Sequence, residues 1–129
     1  MSADLAMADE RLRIFWPEIH FAYVADHPGH EALLTCTYRS PTEQRALYAK
    51  GRTAPGQIVT NCDGLQMLSK HNHFLSLALD FCIVINGKVS WDAAEYEPVG
   101  RLAEARGLVW GGSWAHFRDC PHIEIKEAA

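Results

Sequence analysis

The sequence lacks the features of a membrane-spanning protein, a nucleic-acid binder or a repeat protein. No apolar run in its 129 residues reaches the roughly 18 needed to cross a bilayer. Its 12 Lys and Arg residues are scattered and outnumbered by 16 Asp and Glu residues, so no basic stripe exists to neutralise phosphates. Repeats, low-complexity tracts and linker-like stretches are also absent. We therefore expect one small domain over residues 1–129, with no partner among nucleic acids and no membrane insertion.

An export signal is missing as well. Residues 1–13 have neither the cationic nor the apolar region of a secretory signal and contain Asp4, Asp9 and Glu10 instead. We expect the protein to be cytoplasmic on synthesis, with no export route of its own. The four cysteines form no CxxC pair, which predicts reduced and mostly buried thiols. Cys120 adjoins a candidate catalytic residue, so a role for its thiol as a stray metal ligand stays open.

The first half of the chain alternates helical and strand-like patterns. Residues 4–16 and then 17–26 have helical spacing, with Pro17 suited to a first turn, and together they make residues 1–31 the helical N-terminal part. The apolar run 32–38 is rich in β-formers and predicts a strand. Ser40, Pro41 and Glu43 have the spacing of a capping box, which predicts a helix running to about Lys50.

The second half is richer in strands. Residues 51–70 contain Gly, Pro, Asn and Asp without periodicity, which predicts a long surface loop of the kind that is usually functional. Strands are predicted at 77–85, 88–91, 108–110 and 122–125, and a helix from Asp92 to about Arg106. Asn86-Gly87 is a strong hairpin signal. The fold class is therefore α+β, with N-terminal helices packed on a central antiparallel sheet.

The candidate chemistry centres on Asp80. This carboxylate interrupts a long apolar run, where it needs either a polar partner or a metal ion. His71 precedes it at the end of the long loop, and His122 begins the last predicted strand. Two imidazoles and one carboxylate with an open fourth position make a catalytic set for one Zn²⁺ ion.

Asp119 lies three residues before His122, where it could stand beside a zinc-activated water and carry its proton. An alternative remains open: His71 and His73 as solvated loop residues, and His122 as a half-buried histidine with an ordinary hydrogen-bond partner. Spacing alone does not separate these two interpretations.

The sequence also resembles a known family, the VanY-like zinc D-Ala-D-Ala carboxypeptidases and L-alanyl-D-glutamate endopeptidases, which include many phage endolysins. The resemblance covers about residues 33–124. The matching segments, in the family's order, are Thr35–Gln44 (TCTYRSPTEQ), Leu47–Thr53 (LYAKGRT), Pro55-Gly56, Ile58–Asn61, Ser69–Asn72 (SKHN), Ala78–Asp80, Trp110–Gly112, Trp114 and Asp119–His122 (DCPH).

This resemblance implies a role for each matching residue and a VanY/Hedgehog-like peptidase fold that carries the zinc site. The implied zinc ligands are His71, Asp80 and His122, and the implied acid/base is Asp119. Arg39 would bind substrate or stabilise an oxyanion, with a structural salt bridge as its alternative. A further group is expected to bind substrate or to brace the site: Ser69, Gln44 and Trp114. For Gln44 a solvated helix face is the alternative, and for Trp114 core packing.

One departure from the family pattern concerns the first histidine. Family members commonly place it seven residues before the aspartate, a spacing that His73 has here, whereas His71 has the Ser-x-His-Asn context and lies nine residues before Asp80. We favour His71, because two extra residues can bulge from a loop while that turn is kept. His73 is the alternative ligand.

The resemblance implies hydrolysis of the peptidoglycan stem peptide. An L-alanyl-D-glutamate endopeptidase acting as a cell-wall-lytic endolysin is favoured, and a D-Ala-D-Ala carboxypeptidase is the alternative enzyme. A non-catalytic zinc-binding module on the same fold is a third possibility, because a fold does not determine chemistry. We expect a monomer that reaches the wall after release, through a membrane-permeabilising, holin-like partner.

Overall fold

The computed structural model describes residues 1–126. Within this range, the chain forms three α-helices and one antiparallel sheet of five strands, in agreement with the α+β prediction. The helices are α1 (Glu10–Asp26), α2 (Pro41–Ala49) and α3 (Ala93–Glu104), and the strands are β1 (His30–Cys36), β2 (Ala78–Ile85), β3 (Lys88–Ser90), β4 (Val109–Trp110) and β5 (His122–Glu124). Among these helices, none is both long and apolar enough to cross a membrane.

The N-terminal helix differs from the prediction. Instead of two stretches divided at Pro17, a single helix α1 starts after its N-cap Asp9 and carries Pro17 in its interior, and Asp4 caps only a short 3-10 turn. Proline in a helix interior removes a hydrogen bond. Packing outweighs this cost, because buried residues lie at helical spacing on both sides of the proline: Leu12, Trp16, Ile19 and Tyr23.

Strand β2 organises the sheet. Strand β1 pairs along one edge of β2, whereas the other edge pairs with β5 at its start and with β3 at its end. The predicted hairpin at Asn86-Gly87 is confirmed: both residues have positive φ, as a tight turn between β2 and β3 requires. Strand β4 pairs with β5 and completes the order β1-β2-β5-β4.

Alternate side chains of β2 point to opposite faces of the sheet. Leu79, Phe81 and Ile83 are fully buried in the core with residues of α1 and α3, and the ring of Phe81 lies 5.6 Å from that of Trp16 and 5.5 Å from that of Tyr96. Asp80 lies between two of these residues and therefore belongs to the opposite face. The sheet thus separates the hydrophobic core from the face that carries the polar residues.

Strand β1 begins and ends two residues earlier than predicted, at 30–36 instead of 32–38. The chain leaves the sheet at Thr37, because its backbone groups bond elsewhere: its N–H donates to the Ser2 carbonyl, and its carbonyl accepts from His71 and Ser76. This early exit brings Thr37 next to the polar face. Helix α2 follows, with both reciprocal hydrogen bonds of the predicted capping box between Ser40 and Glu43.

The long loop predicted at 51–70 is confirmed, except that its end at Lys70 opens a short 3-10 turn, Lys70–Asn72. The loop is fastened by Arg52, which donates to the carbonyls of Tyr48 and Thr60 and to the side chain of Asn61. The Arg52 guanidinium also lies 3.8 Å from the centre of the Tyr48 ring. These contacts hold the loop as one wall of a cavity above the polar face of the sheet.

Candidate metal centre

Strand register brings three polar side chains to one level of the sheet. Asp80 on β2 pairs with Cys36 on β1 and with His122 on β5. Directly opposed residues in antiparallel strands project to the same face. A β-bulge between Leu34 and Cys36 shifts the register by one residue, so that Cys36 rather than Thr35 is opposite Asp80.

His71 reaches this level from the 3-10 turn at Lys70–Asn72. Ser69 and Asn72 form the capping box of the turn, and the Ser69 hydroxyl accepts from the His71 N–H. The Asn72 amide donates to the Arg39 carbonyl, and the Arg39 N–H donates to the His71 carbonyl. The turn that carries His71 is therefore locked to the segment between β1 and α2.

Both imidazoles face the same carboxylate oxygen. His71 Nε2 lies 3.1 Å and His122 Nδ1 3.0 Å from Asp80 Oδ1. The remaining ring nitrogens are also fixed: His71 Nδ1 donates to the Thr37 carbonyl at 2.7 Å, and His122 Nε2 donates to Glu124 at 2.8 Å. Histidines that bind metals have this arrangement, in which the second nitrogen donates to a carbonyl or a carboxylate.

The charges of the cluster are strongly coupled. Burial opposes the positive charge on His71, but the hydrogen bond and the charge of Asp80 outweigh it and raise the pKa of His71 to about 10. The pKa of His122 rises to about 9 in the same way, with a further contribution from Glu124. Burial alone would raise the pKa of Asp80, but the two imidazoles hold it well below its usual range. A metal ion that binds here must displace these imidazole protons.

The donor atoms suit zinc. Two groups within residues 1–126 are compact enough to hold an ion, Cys36–His71–Asp80 and Asp80–Asp119–His122. They share Asp80, and each contains one of the two predicted histidine ligands, His71 in the first group and His122 in the second. Imidazole nitrogen, carboxylate oxygen and thiolate sulfur are all common zinc ligands.

Asp119 stands at the edge of the cluster. Its side chain is 48% exposed, and its Oδ2 lies 3.8 Å from His122 Nδ1. Partial burial raises the pKa of Asp119 above its ordinary value, and the positive charge of His122 opposes this shift. Its backbone packs closely on Gly111, where a Cβ would collide with the Asp119 carbonyl, and its N–H donates to the Gly111 carbonyl. Gly111 thus fixes the position of the Asp119 backbone beside the cluster.

Arg39 lies on the other side of Asp80. Its Nη2 is 3.6 Å from Asp80 Oδ2, and its Nη1 donates to Gln44 at 2.8 Å. Gln44 is fully buried and donates in turn to the Thr60 hydroxyl and the Cys62 carbonyl, which excludes the solvated alternative for this residue. Arg39, Gln44 and the long loop therefore form one hydrogen-bonded unit.

The structure places the two candidate histidines in different environments. His71 is 2% exposed and adjoins Asp80, whereas His73 is exposed and lies one residue beyond the turn. With His71 as the ligand, the extra residues relative to the family spacing would fall in the segment after His71, in which Phe74 is 70% exposed. The chain re-enters the interior at Ser76, which is fully buried and donates to the carbonyls of Thr37 and Ala78.

The aromatic residues separate into core and rim. Trp110 is buried, and Trp91 and Phe117 are exposed. Trp114 is half-buried, with its ring 5.2 Å from that of His122. It lines a cavity of about 500 Å³ together with the cluster residues His71, Asp80, Asp119 and His122.

Sequence reasoning missed two residues of this site. Glu124 orients His122 and pairs with Lys70 at 2.6 Å; its position two residues after His122 on a strand was the available signal. Cys36 was expected only to be a buried thiol, and it is one, but the β-bulge also places it opposite Asp80. Cys120, by contrast, belongs to neither compact group within the described residues.

Comparisons with known proteins find similar peptidases. A family model described as D-alanyl-D-alanine carboxypeptidase matches residues 64–125, a range that contains His71, Asp80, Asp119 and His122. The peptidoglycan L-alanyl-D-glutamate endopeptidase CwlK of Bacillus subtilis (strain 168) is 35% identical over 111 residues, which cover 78% of this chain and 64% of the relative. The L-alanyl-D-glutamate peptidase of Listeria phage A118 is 28% identical over 82 residues, covering 61% of this chain and 29% of the relative.

The chain thus spans less than two thirds of the length of these two relatives. Among solved structures, the crystal structure of Serratia marcescens L-Ala D-Glu endopeptidase ChiX is similar with a TM-score of 0.55 and 23% identity, over 95% of this chain and 89% of that one. At this identity the likeness concerns the fold. Together, the comparisons show that residues 64–125 resemble the D-alanyl-D-alanine carboxypeptidase family, that the chain is similar in sequence to two L-alanyl-D-glutamate peptidases, and that it is similar in fold to ChiX.

Proposed function

We propose that this protein is a zinc-dependent peptidase of peptidoglycan, and that it acts as an L-alanyl-D-glutamate endopeptidase. The observation that carries the proposal is the convergence of His71 and His122 on the half-buried Asp80, with Asp119 beside them in an accessible cavity. A structural site needs only ligands. A hydrolytic site also needs a carboxylate that is free to exchange protons, and Asp119 fits this need.

His71, Asp80 and His122 would hold the ion. Zinc bound by three such ligands supplies a Lewis acid for the scissile carbonyl and makes water acidic enough to attack near neutral pH. Thr37 and Glu124 keep both imidazoles in the required orientation through their second nitrogens. The proposed cofactor is one Zn²⁺ ion.

Two further side chains act on the substrate. Asp119 would accept a proton from the attacking water and return it to the leaving amine, a role that its raised pKa favours. Arg39 is mostly buried and fixed by Gln44, so its guanidinium would stabilise negative charge on the carbonyl oxygen with little reorganisation. Ser69 holds the turn of His71, and Trp114 forms a wall beside His122.

The choice of bond rests on the names of the relatives and on the shape of the site. Two relatives and the structural neighbour are named as acting on L-alanyl-D-glutamate. The cavity of about 500 Å³ adjoins a second one of about 390 Å³, and five residues line both: Val59, Thr60, Cys62, Trp114 and Asp119. An endopeptidase needs such room on both sides of the bond. The family description instead favours a D-Ala-D-Ala carboxypeptidase, which is the second candidate.

Product analysis tests the proposal. Digestion of purified peptidoglycan with the zinc-loaded protein is expected to release stem peptides with new N-terminal D-glutamate and glycan strands that retain L-alanine. Mass spectrometry of the soluble and insoluble fractions measures both products. Release of D-alanine alone would establish the carboxypeptidase instead, and no release by a zinc-loaded, folded protein would favour a non-catalytic zinc module.

The biological setting follows as part of the same proposal. An enzyme that is cytoplasmic on synthesis would meet its substrate only after a membrane-permeabilising, holin-like partner opened the way. It would act as a monomer on the cell wall, with residues 1–129 as one catalytic domain.

A further inference from the structure

The second cavity contains a cation that the proposed mechanism does not use. Its lining residues are Val59, Thr60, Asn61, Cys62, Trp114, Phe117, Arg118 and Asp119, so Arg118 is the basic residue among them. Within residues 1–126, Arg118 forms no ion pair with an acidic side chain. A guanidinium that faces a cavity without a carboxylate partner is suited to a carboxylate from a ligand.

Arg118 is also held in place. Its Nε donates to the Gly112 carbonyl at 2.9 Å, and its Nη2 lies 3.8 Å from the sulfur of Cys120. The hydrogen bond from Nε orients the guanidinium, and the two terminal nitrogens keep N–H groups that can donate to a ligand. A preordered guanidinium loses less entropy when it binds a carboxylate than a freely rotating one does.

Two of the three basic residues of the first cavity differ from Arg118 in having side-chain partners. Arg39 is engaged by Gln44 and Asp80, and Lys70 pairs with Glu124 and donates to the Ile125 carbonyl. Lys50 lines the first cavity and, like Arg118, is exposed. Lys50 and Arg118 are therefore the two cations to compare, and they belong to different cavities.

Asp119 determines which part of a substrate lies near Arg118. It lines both cavities, whereas His71, Asp80 and His122 line only the first. If Asp119 returns a proton to the leaving amine, then the leaving nitrogen lies beside Asp119 and the rest of the leaving residue extends into the second cavity. Arg118, the next residue along the chain, faces that same space.

When an L-alanyl-D-glutamate bond is cleaved, the leaving residue is glutamate, which would carry an acidic group into the second cavity. Glutamate has two carboxyl groups, and an internal residue uses only one of them to continue the chain. The other stays free, or is amidated. Arg118 can pair with the free acid by charge-assisted hydrogen bonds, which an amide cannot match.

We propose that Arg118 is a specificity-determining residue that binds the free carboxylate of the leaving residue in the second cavity, and that it favours acidic over amidated stem peptides. The inference rests on the proposed peptidase function. Arg118 also offsets the charge of Asp119, which would otherwise repel an acidic leaving residue from this cavity.

The test uses two synthetic tripeptides, L-Ala–D-Glu–L-Lys, that differ only in whether the spare carboxyl of D-Glu is an acid or an amide. The wild-type protein is expected to cleave the acid with a kcat/KM at least about tenfold higher. Arg118→Gln should remove this preference, because it lowers kcat/KM for the acid and leaves kcat/KM for the amide unchanged. Arg118→Lys keeps the cation and should retain part of the preference.

Lys50→Gln is the matched control, because it removes the exposed cation of the first cavity. It should keep the acid preference, and so should Arg45→Gln on the exposed part of α2, which lines neither cavity. A preference that survives Arg118→Gln, or one that Lys50→Gln removes, would overturn the proposal.

A binding measurement separates this inference from the peptidase proposal. The product-like dipeptides D-Glu–L-Lys, as acid and amide, report on the second cavity without any cleavage, and calorimetry measures both. Tighter binding of the acid that is lost in Arg118→Gln supports the role of Arg118 even if neither tripeptide is cleaved. Equal binding of acid and amide by the wild-type protein would contradict it.

Discussion

Replacing Asp119 by alanine is expected to lower kcat for stem-peptide cleavage by at least about 100-fold while zinc stays bound. Asp119 lies 3.8 Å from His122 Nδ1, is only partly buried, and has a raised pKa, all of which suit a proton carrier rather than a ligand. Removing it leaves His71, Asp80 and His122 intact. Asp119→Ala should therefore lose activity but keep its zinc.

The measurement is kcat from peptide release together with zinc stoichiometry after dialysis. Asp119→Asn keeps the size of the side chain but cannot exchange protons, so it should be as inactive as the alanine variant. Asp26→Ala, at the exposed end of α1, is the matched control and should keep full activity. If zinc is lost together with activity in Asp119→Ala, then Asp119 is a ligand, as its compact group with Asp80 and His122 also permits.

His71→Ala is expected to weaken zinc binding by more than about 100-fold, whereas His73→Ala should leave the affinity unchanged. His71 is 2% exposed, and its Nε2 lies 3.1 Å from Asp80, whereas His73 is exposed. Losing one of the three proposed protein ligands removes a metal bond. Activity should follow zinc occupancy in both variants.

Zinc affinity is measured by competition with a chromophoric chelator, with circular dichroism as a check that both variants are folded. The His71 side chain also supports the fold through its bond to the Thr37 carbonyl, so zinc-free wild-type protein is the reference for stability. Weaker binding in His73→Ala with normal binding in His71→Ala would reverse the assignment. A zinc affinity equal to that of the wild type in both variants would exclude this segment from the metal site.

Local chemistry made much of the fold predictable. The capping box at Ser40 and Glu43, the turn at Asn86-Gly87 and the apolar run of β2 are each determined by a few neighbouring residues. Asp80 was noticeable because a carboxylate between Leu79 and Phe81 needs a partner. The family motifs then indicated which distant residues would supply that partner.

Features that depend on tertiary packing were not predictable. Pro17 has the local signature of a helix start, and only the buried face of α1 on both sides of it keeps the helix continuous. The β-bulge that turns Cys36 toward Asp80 has no evident signal in the apolar run of β1. The second cavity depends on the approach of two loops that are distant in sequence, around Thr60 and Arg118, and spacing alone does not reveal it.

The most direct test of the central claim is zinc-edge anomalous diffraction, with X-ray absorption, on zinc-loaded wild-type protein. We expect one ion bonded to His71 Nε2, His122 Nδ1 and an oxygen of Asp80, at about 2.0–2.2 Å, with a non-protein oxygen in the fourth position. An ion bonded to the sulfur of Cys36, enclosed by four protein ligands, or lying away from these three residues would contradict the account.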